Sequence, residues 1–153
     1  MGWLSAAGAT RPSLRSVTGT VEVLEHTADI GLRVRGATVE ELFEAAGEGL
    51  ATLQGAWFPG EGQEETVTVR ATDRPALLVA WLDELLFIHE SRDAVFGGFD
   101  VHSVGERELD ARVRLAARGD RELESVGVKA ATYHRLRLER EPDGWVAEVY
   151  LDV

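Results

Sequence analysis

Cysteine is missing from this 153-residue chain. Disulfide bonds, thiolate metal sites and a cysteine nucleophile are therefore excluded. The sequence also has no uncharged apolar run of roughly 18 residues, the length that a membrane-spanning helix needs. We therefore expect no membrane association, and we expect the protein in the cytoplasm.

Basic residues are scarce relative to acidic ones. The chain has 16 Lys and Arg residues against 27 Asp and Glu residues, which gives a net charge of −11. Affinity for nucleic acids comes largely from Lys and Arg side chains that neutralise phosphates. We therefore expect no autonomous binding of RNA or DNA. The charge instead suits the binding of cations or of a basic protein surface.

The signature motifs of common enzyme classes are absent as well. The sequence contains no GxGxxG, GxxxxGK[ST], HExxH or GxSxG. Ser91, Ser103 and Ser125 lie in no recognisable nucleophile context. An interpretation of the chain as a hydrolase therefore lacks a visible nucleophile.

The length suits one domain, but the first 20 residues differ in composition from the rest. They contain two arginines and no acidic residue. We interpret residues 1–20 as a flexible N-terminal extension or the product of an upstream start codon, with a transit peptide as a third interpretation. The folded domain is expected over residues 21–153.

Hydrophobic periodicity predicts an α+β fold. Apolar spacing indicates one helix over 38–54, begun by a Thr38/Glu41 capping box, and a second helix from Thr72 or Asp73 to about 91. Strands are expected over 21–36 (two short strands or one bent strand), 65–71, 95–104, 108–117, 132–140 and 145–153. We predict a single domain in which two α-helices pack on one face of a mostly antiparallel β-sheet.

Carboxylates stand at two predicted strand ends. Asp29 lies in "EHTADIG", and Asp152 is followed by Val153 with its α-carboxylate. Three hard oxygen anions of this kind would suit a divalent cation such as Ca²⁺ or Mg²⁺. Nothing in the spacing brings Asp29 to Asp152, so two separate surface aspartates are the competing interpretation.

Other polar residues accompany these carboxylates. Lys129 is either a solvated lysine or a cation that holds an anionic ligand or a partner's carboxylate. His26 and His134 make a weak case for zinc and are more typical of hydrogen-bonded structural histidines. Glu25, His26 and Thr27 are interpreted as supports that fix the strand end.

Five sequence blocks together resemble the archease family. They are "EHTADIGLRVRG", "T-x-EELFEAA", "WLDELLFIHE", "GVKAATYH" and "W-x-A-E-V-x-L-D-V", and they span residues 21–153. The resemblance implies a small α+β accessory protein of the RtcB-type RNA ligase. That ligase acts in tRNA splicing and RNA repair, where it uses GTP and divalent metal and is guanylylated on a histidine. The resemblance implies that the accessory protein promotes this guanylylation and repeated turnover and is not itself an enzyme.

The same resemblance implies roles for individual residues. Asp29 and Asp152 would form a divalent-cation site, with the Val153 carboxylate as third ligand, and Lys129 would be a functional position. We expect Ca²⁺ first, with Mg²⁺ or Mn²⁺ as alternatives, because oxygen ligands serve all three cations. An extension after Val153 should then weaken cation binding.

Two alternatives to ligase activation are kept. One is a general chaperone or protein-interaction module that acts through apolar loop residues such as Trp57 and Phe58 and needs no metal. The other is a small metal-dependent hydrolase that uses the same carboxylates.

Overall fold

Two β-sheets enclose a pair of helices in the computed structural model, which describes residues 3–4, 19–25 and 29–153. Most of the predicted extension over 1–20, together with His26 and Thr27, lies outside the described residues. The elements are β1 (Trp3–Leu4), β2 (Thr20–Glu25), β3 (Asp29–Gly36), α1 (Val39–Leu53), β4 (Gln63–Arg70), α2 (Arg74–Ser91), β5 (Ala94–Val104), β6 (Glu108–Ala117), β7 (Ala130–Glu141) and β8 (Gly144–Asp152).

The strands pair antiparallel in two separate sheets. A five-stranded sheet has the order β1-β2-β3-β8-β7, and a three-stranded sheet has the order β4-β6-β5. The segment predicted as two short strands or one bent strand forms two, because Val21 of β2 pairs with Val34 of β3. β5 pairs with β6 and β7 pairs with β8, so strands that follow each other in sequence are neighbours in the sheet.

Side-chain caps begin both helices where the sequence predicts. The Thr38 hydroxyl accepts a hydrogen bond from the Glu41 N–H at 3.1 Å, and α1 follows. The Asp73 carboxylate accepts one from the Ala76 N–H at 2.8 Å, and Pro75 occupies the first turn of α2. These bonds satisfy N–H groups that have no partner within the helix. Among the described residues, neither helix is long and apolar enough to cross a bilayer.

The core lies where the helices meet the sheets. α1 contacts β3 of the larger sheet and β5 of the smaller one, while α2 contacts β7 and also β4 and β5. Trp81 is fully buried, and its indole N–H donates to the Phe43 carbonyl at 2.9 Å, which joins the two helices. The α+β class is confirmed. The sequence predicted one sheet with helices on one face, whereas each helix contacts two sheets, because both helices are buried on more than one side.

The apolar loop between α1 and β4 packs onto β5. Phe58 N–H donates to the Phe96 carbonyl, and Gly60 N–H donates to the Gly97 carbonyl, each at 2.8 Å. A Cβ atom added at Gly97 would lie 1.8 Å from the Glu61 carbonyl oxygen, so the loop sits directly on this glycine. Only a residue without a side chain permits that approach.

We expect Gly97→Ala to destabilise the fold and Gly98→Ala to be tolerated. At Gly97 the added methyl meets backbone atoms, and overpacking of this kind costs about 1–3 kcal/mol or more. At Gly98 the nearest atom is Arg114 Cδ at 3.3 Å, which belongs to a flexible side chain that can move away. Urea unfolding of both variants measures the difference. Equal losses of unfolding free energy would contradict the packing described for this loop.

Candidate functional site

Three adjacent strands of the larger sheet end side by side. Asp29 of β3 is the register partner of Asp152 of β8, and Asp152 is in turn the partner of Ala130 of β7. Residues directly opposite each other in antiparallel strands project from the same face, with Cβ atoms about 4.5–5.5 Å apart. The structure therefore brings together two aspartates that the sequence spacing left apart.

Lys129 and Val153 lie at the same edge. The Lys129 N–H donates to the Asp152 carbonyl at 2.7 Å, so the backbone pairing continues one residue before β7 begins. The Lys129 side chain is exposed, as is Val153, which directly follows Asp152. Four of the residues predicted for the site thus lie together where these three strands end, namely Asp29, Lys129, Asp152 and Val153. We call this end of the sheet the aspartate edge.

The C-terminus of α1 fixes the segment that leads to Lys129. The buried Gln54 side-chain oxygen accepts hydrogen bonds from the Val128 N–H and the Ser125 hydroxyl, each at 2.9 Å. The Val126 N–H donates to the Leu53 carbonyl at 2.9 Å. A segment without regular secondary structure is therefore held to the core by one helix end, and its position does not depend on the strands alone.

An aromatic row borders the aspartates on the same sheet face. Tyr150 lies two residues before Asp152, and a Cβ atom added at Gly31 would be 2.8 Å from its ring. The glycine of "EHTADIG" thus makes room for the tyrosine. The exposed His134 ring meets the Tyr150 ring edge-on at 6.0 Å, and the Thr132 hydroxyl donates to the Tyr150 carbonyl at 3.0 Å. His134 therefore belongs to the neighbouring row rather than to the aspartate row.

The next row pairs opposite charges across four strands. The Arg33 guanidinium donates to Glu148 at 2.7 Å and to Glu22 at 2.9 Å, and Arg137 lies 3.7 Å from Glu148. The hydrogen bond to Glu148 is the main cause that raises the pKa of Arg33 above its ordinary value. Opposite charges alternate in this row, as cross-strand pairing favours. The aspartate row departs from that pattern.

Asp29 and Asp152 are the side chains of the aspartate edge that could hold a hard cation. Within the part of the chain that the structure describes, no three His, Asp or Glu side chains are arranged to hold a metal ion. Two carboxylates remain, at Asp29 and Asp152. Mg²⁺ is commonly bound through one or two carboxylates together with substrate phosphates. Glu25 pairs through its backbone with Ile30, one residue from Asp29, while His26 and Thr27 fall outside the described residues.

The sequence of this chain matches a known protein-family model. The model described as "Archease protein family (MTH1598/TM1083)" matches residues 22–153, which is nearly the whole chain. The chain belongs to the archease family. It is 36% identical over 139 residues to the protein archease of Methanosarcina mazei, a match covering 86% of this chain and 94% of that protein. It is 38% identical over 139 residues to the protein archease of Thermococcus gammatolerans, covering 86% and 97% respectively.

Solved archease structures share the fold. The solution structure of Methanobacterium thermoautotrophicum protein 1598 matches with a TM-score of 0.71 and 29% identity, over 87% of this chain and 98% of that one. A crystal structure from Thermotoga maritima, described as an archease and possible chaperone, matches with a TM-score of 0.60 and 24% identity. It covers 85% of this chain and 94% of that one, and at this identity it supports the fold alone.

The sequence patterns did not predict a role for Asp83, which contacts β7 next to the aspartate edge. Asp83 lies within the "WLDELL" stretch of α2, for which the sequence predicted a helix and no individual polar role. Its carboxylate accepts a hydrogen bond from the Ala131 N–H of β7 at 2.8 Å. Burial raises the pKa of Asp83 above its ordinary value, and the Ala131 hydrogen bond opposes that rise. The sequence signal for a buried polar contact was an acidic residue inside an apolar stripe of the helix.

We expect the stability contribution of Asp83 to depend on pH. Because its folded pKa is raised, its favourable contribution is complete below the ordinary value of 3.8 and is lost as pH rises through the raised pKa. Asp83→Asn keeps an acceptor for Ala131 and carries no charge. The unfolding free energy of the Asn variant, relative to that of the unmodified protein, should therefore increase from pH 3 to pH 8. Chemical denaturation at several pH values measures this difference.

Asp83→Ala is the matched control. It leaves the Ala131 N–H without its acceptor, which should cost about 1–3 kcal/mol at every pH. If the two variants were equally stable, or if the Asn variant showed no pH-dependent gain, the role assigned to this hydrogen bond would be wrong.

Proposed function

We propose that this archease-family chain is an accessory protein of an RtcB-type RNA ligase. It promotes GTP-dependent guanylylation of the ligase and its multiple turnover, and it is not itself an enzyme. A divalent cation held by Asp29 and Asp152, with the Val153 α-carboxylate as third ligand, serves this role. The observation that carries the proposal is the pairing of Asp29 opposite Asp152 at one sheet edge.

Like charges directly opposite each other destabilise an antiparallel pair. The neighbouring Glu22–Arg33–Glu148 row avoids this cost by alternating charge. Opposed carboxylates at Asp29 and Asp152 are therefore a cost that a bound cation would offset. Ca²⁺, Mg²⁺ and Mn²⁺ all take oxygen ligands of this kind. The charge pattern of the sheet face thus supports a cation site at this edge.

Two side-chain carboxylates leave most positions around a cation open. When bound, the cation would supply positive charge for phosphate oxygens, which suits a partner that uses GTP. Within the chain itself, β3 and β8 hold the two carboxylates, and Gln54 holds the segment before Lys129. The exposed Lys129 would attract a phosphate or a partner's carboxylate to the same edge.

The net charge of −11 also supports an accessory role. An acidic chain is repelled by RNA, whereas it is attracted to the basic surface that an RNA-binding enzyme carries. The protein would then act by docking on the ligase near its metal and nucleotide site. We expect it in the cytoplasm together with that ligase.

A general chaperone or protein-interaction module without metal-dependent chemistry is the second candidate function. The Thermotoga maritima relative is described as a possible chaperone. The loop expected to carry such an activity is packed, because Trp57 stacks on Phe99 at 5.6 Å and Arg121 covers the Phe58 ring at 4.2 Å. This candidate predicts protection of unrelated aggregating proteins with both aspartates dispensable. A metal-dependent hydrolase would instead turn over a phosphoester alone.

We expect Asp29→Asn and Asp152→Asn each to reduce stimulation of guanylylation. Each change removes one proposed ligand charge and keeps the side-chain volume. The loss should be at least about tenfold, the scale on which metal sites respond to altered ligand shells. The measurement is the rate of label transfer from GTP to the RtcB-type ligase of the same genome, with each variant present at several concentrations.

Asp143→Asn provides the charge-matched control. Asp143 is exposed in the β7–β8 turn, at the opposite end of the same strands, and its replacement should leave stimulation unchanged. Full stimulation by the folded Asp29 and Asp152 variants would refute the cation-site proposal. Protection of unrelated proteins without ligase stimulation would favour the chaperone candidate.

A further inference from the structure

Some large hydrophobic side chains of the described residues are exposed to solvent. Among residues whose side chains the structure describes, four are exposed, at 64% for Phe87, 47% for Val126, 67% for Tyr133 and 40% for Val153. Single exposed hydrophobic residues are common, but a group at one place marks an interaction surface. Whether these four residues form an interaction surface therefore depends on where they lie in the fold.

Three of these residues belong to segments that lead into or out of the aspartate edge. Val153 follows Asp152, and Val126 lies three positions before Lys129 in the segment tied to α1. Tyr133 lies three positions after Ala130, the register partner of Asp152. Three of the four exposed hydrophobic residues thus lie within a few residues of the candidate site along the chain.

Phe87 lies toward the same end of the fold, on α2. Arg74, at the start of this helix, covers the ring of Trp145, whose partner Arg140 is near the end of β7. Asp83, further along the helix, contacts Ala131 at the start of β7. The helix therefore runs antiparallel to β7, and Phe87 is one turn, about 6 Å, further toward the segment before Lys129.

A bulge in β7 presents Tyr133. Thr132 pairs with Tyr150, and the next pair along the ladder is Arg137 with Glu148, so four residues of β7 stand opposite Val149 alone. Within them Arg135 has a φ of 53°, a left-handed conformation that costs a non-glycine residue energy. Such strain is concentrated at functional positions. Backbone strain thus lies in the same segment that exposes the Tyr133 ring to solvent.

We propose that Phe87, Val126, Tyr133 and Val153 form a docking surface around the aspartate edge. Its occupant is a protein surface that carries apolar residues flanked by Lys and Arg. Charge complementarity selects this occupant, because the four apolar residues lie at the same end of the fold as Asp29 and Asp152, on a chain of net charge −11. A second copy of the chain would bring like charges together. Under the proposed function, on which this inference rests, the occupant is the RtcB-type ligase beside its nucleotide site.

The test compares a polar double variant with a conservative one. Phe87→Ser with Tyr133→Ser removes both exposed aromatic rings, whereas Phe87→Leu with Tyr133→Phe keeps the surface apolar. Both pairs change exposed positions, so circular dichroism and thermal unfolding should confirm intact folds. Aromatic residues dominate binding energy at interfaces. The Ser variant should therefore bind the ligase of the same genome at least about tenfold more weakly, and the conservative variant should match the unmodified protein.

Titration calorimetry at low and high salt measures these affinities, and GTP-dependent guanylylation is followed in parallel. The docking surface predicts weaker binding at high salt, and stimulation by the Ser variant that recovers when its concentration is raised. Unchanged affinity of the Ser variant, with normal binding and stimulation by the unmodified protein, overturns the docking surface alone. An unmodified protein that neither binds nor stimulates the ligase overturns the proposed function and this inference together. Self-association that the Ser variant abolishes would overturn the ligase as occupant.

Discussion

The backbone pairing of β3 with β8 determines where the candidate site residues lie. It sets Asp29 opposite Asp152 on the outer face, while Leu32 pairs with Val149 and Val34 with Ala147 on the buried face. A slip of one residue would move every side chain of β3 to the opposite face and expose that core row. The hydrophobic core therefore enforces the register, and the register in turn enforces the opposition of two carboxylates.

The helices extend this constraint to the remaining site residues. α1 holds the segment before Lys129 through Gln54, and α2 holds the first residues of β7 through Asp83. β7 is an edge strand, so its free side has no strand partner in the larger sheet. Polar side chains of the buried helices take over that role. The site thus lies at the exposed ends of three strands, and side chains anchored in the core fix the backbone there.

Sequence periodicity was sufficient for the local elements. The Thr38 and Asp73 caps and the apolar spacing behind them predicted both helices, because these signals act over a few residues. The division into two sheets and the meeting of Asp29 with Asp152 could not be predicted this way, since strand pairing joins distant segments. Their positions at predicted strand ends marked both aspartates as candidates, but only the family resemblance predicted that they share one cation site. The role of Asp83 could not be predicted, because an acidic residue within an apolar helix stripe does not indicate which backbone N–H donates a hydrogen bond to it.

Paramagnetic broadening by Mn²⁺ tests the central claim most directly. In a titration of the ¹⁵N-labelled protein, the account predicts selective loss of the amide signals of Asp29, Ala130, Asp152 and their neighbours at low Mn²⁺ concentration. Excess Mg²⁺ or Ca²⁺ should restore them, and Asp29→Asn should prevent the loss. Broadening that begins at another acidic surface, such as the turn around Asp143, or that spreads evenly over the chain, would contradict a cation site at the β3–β8 edge.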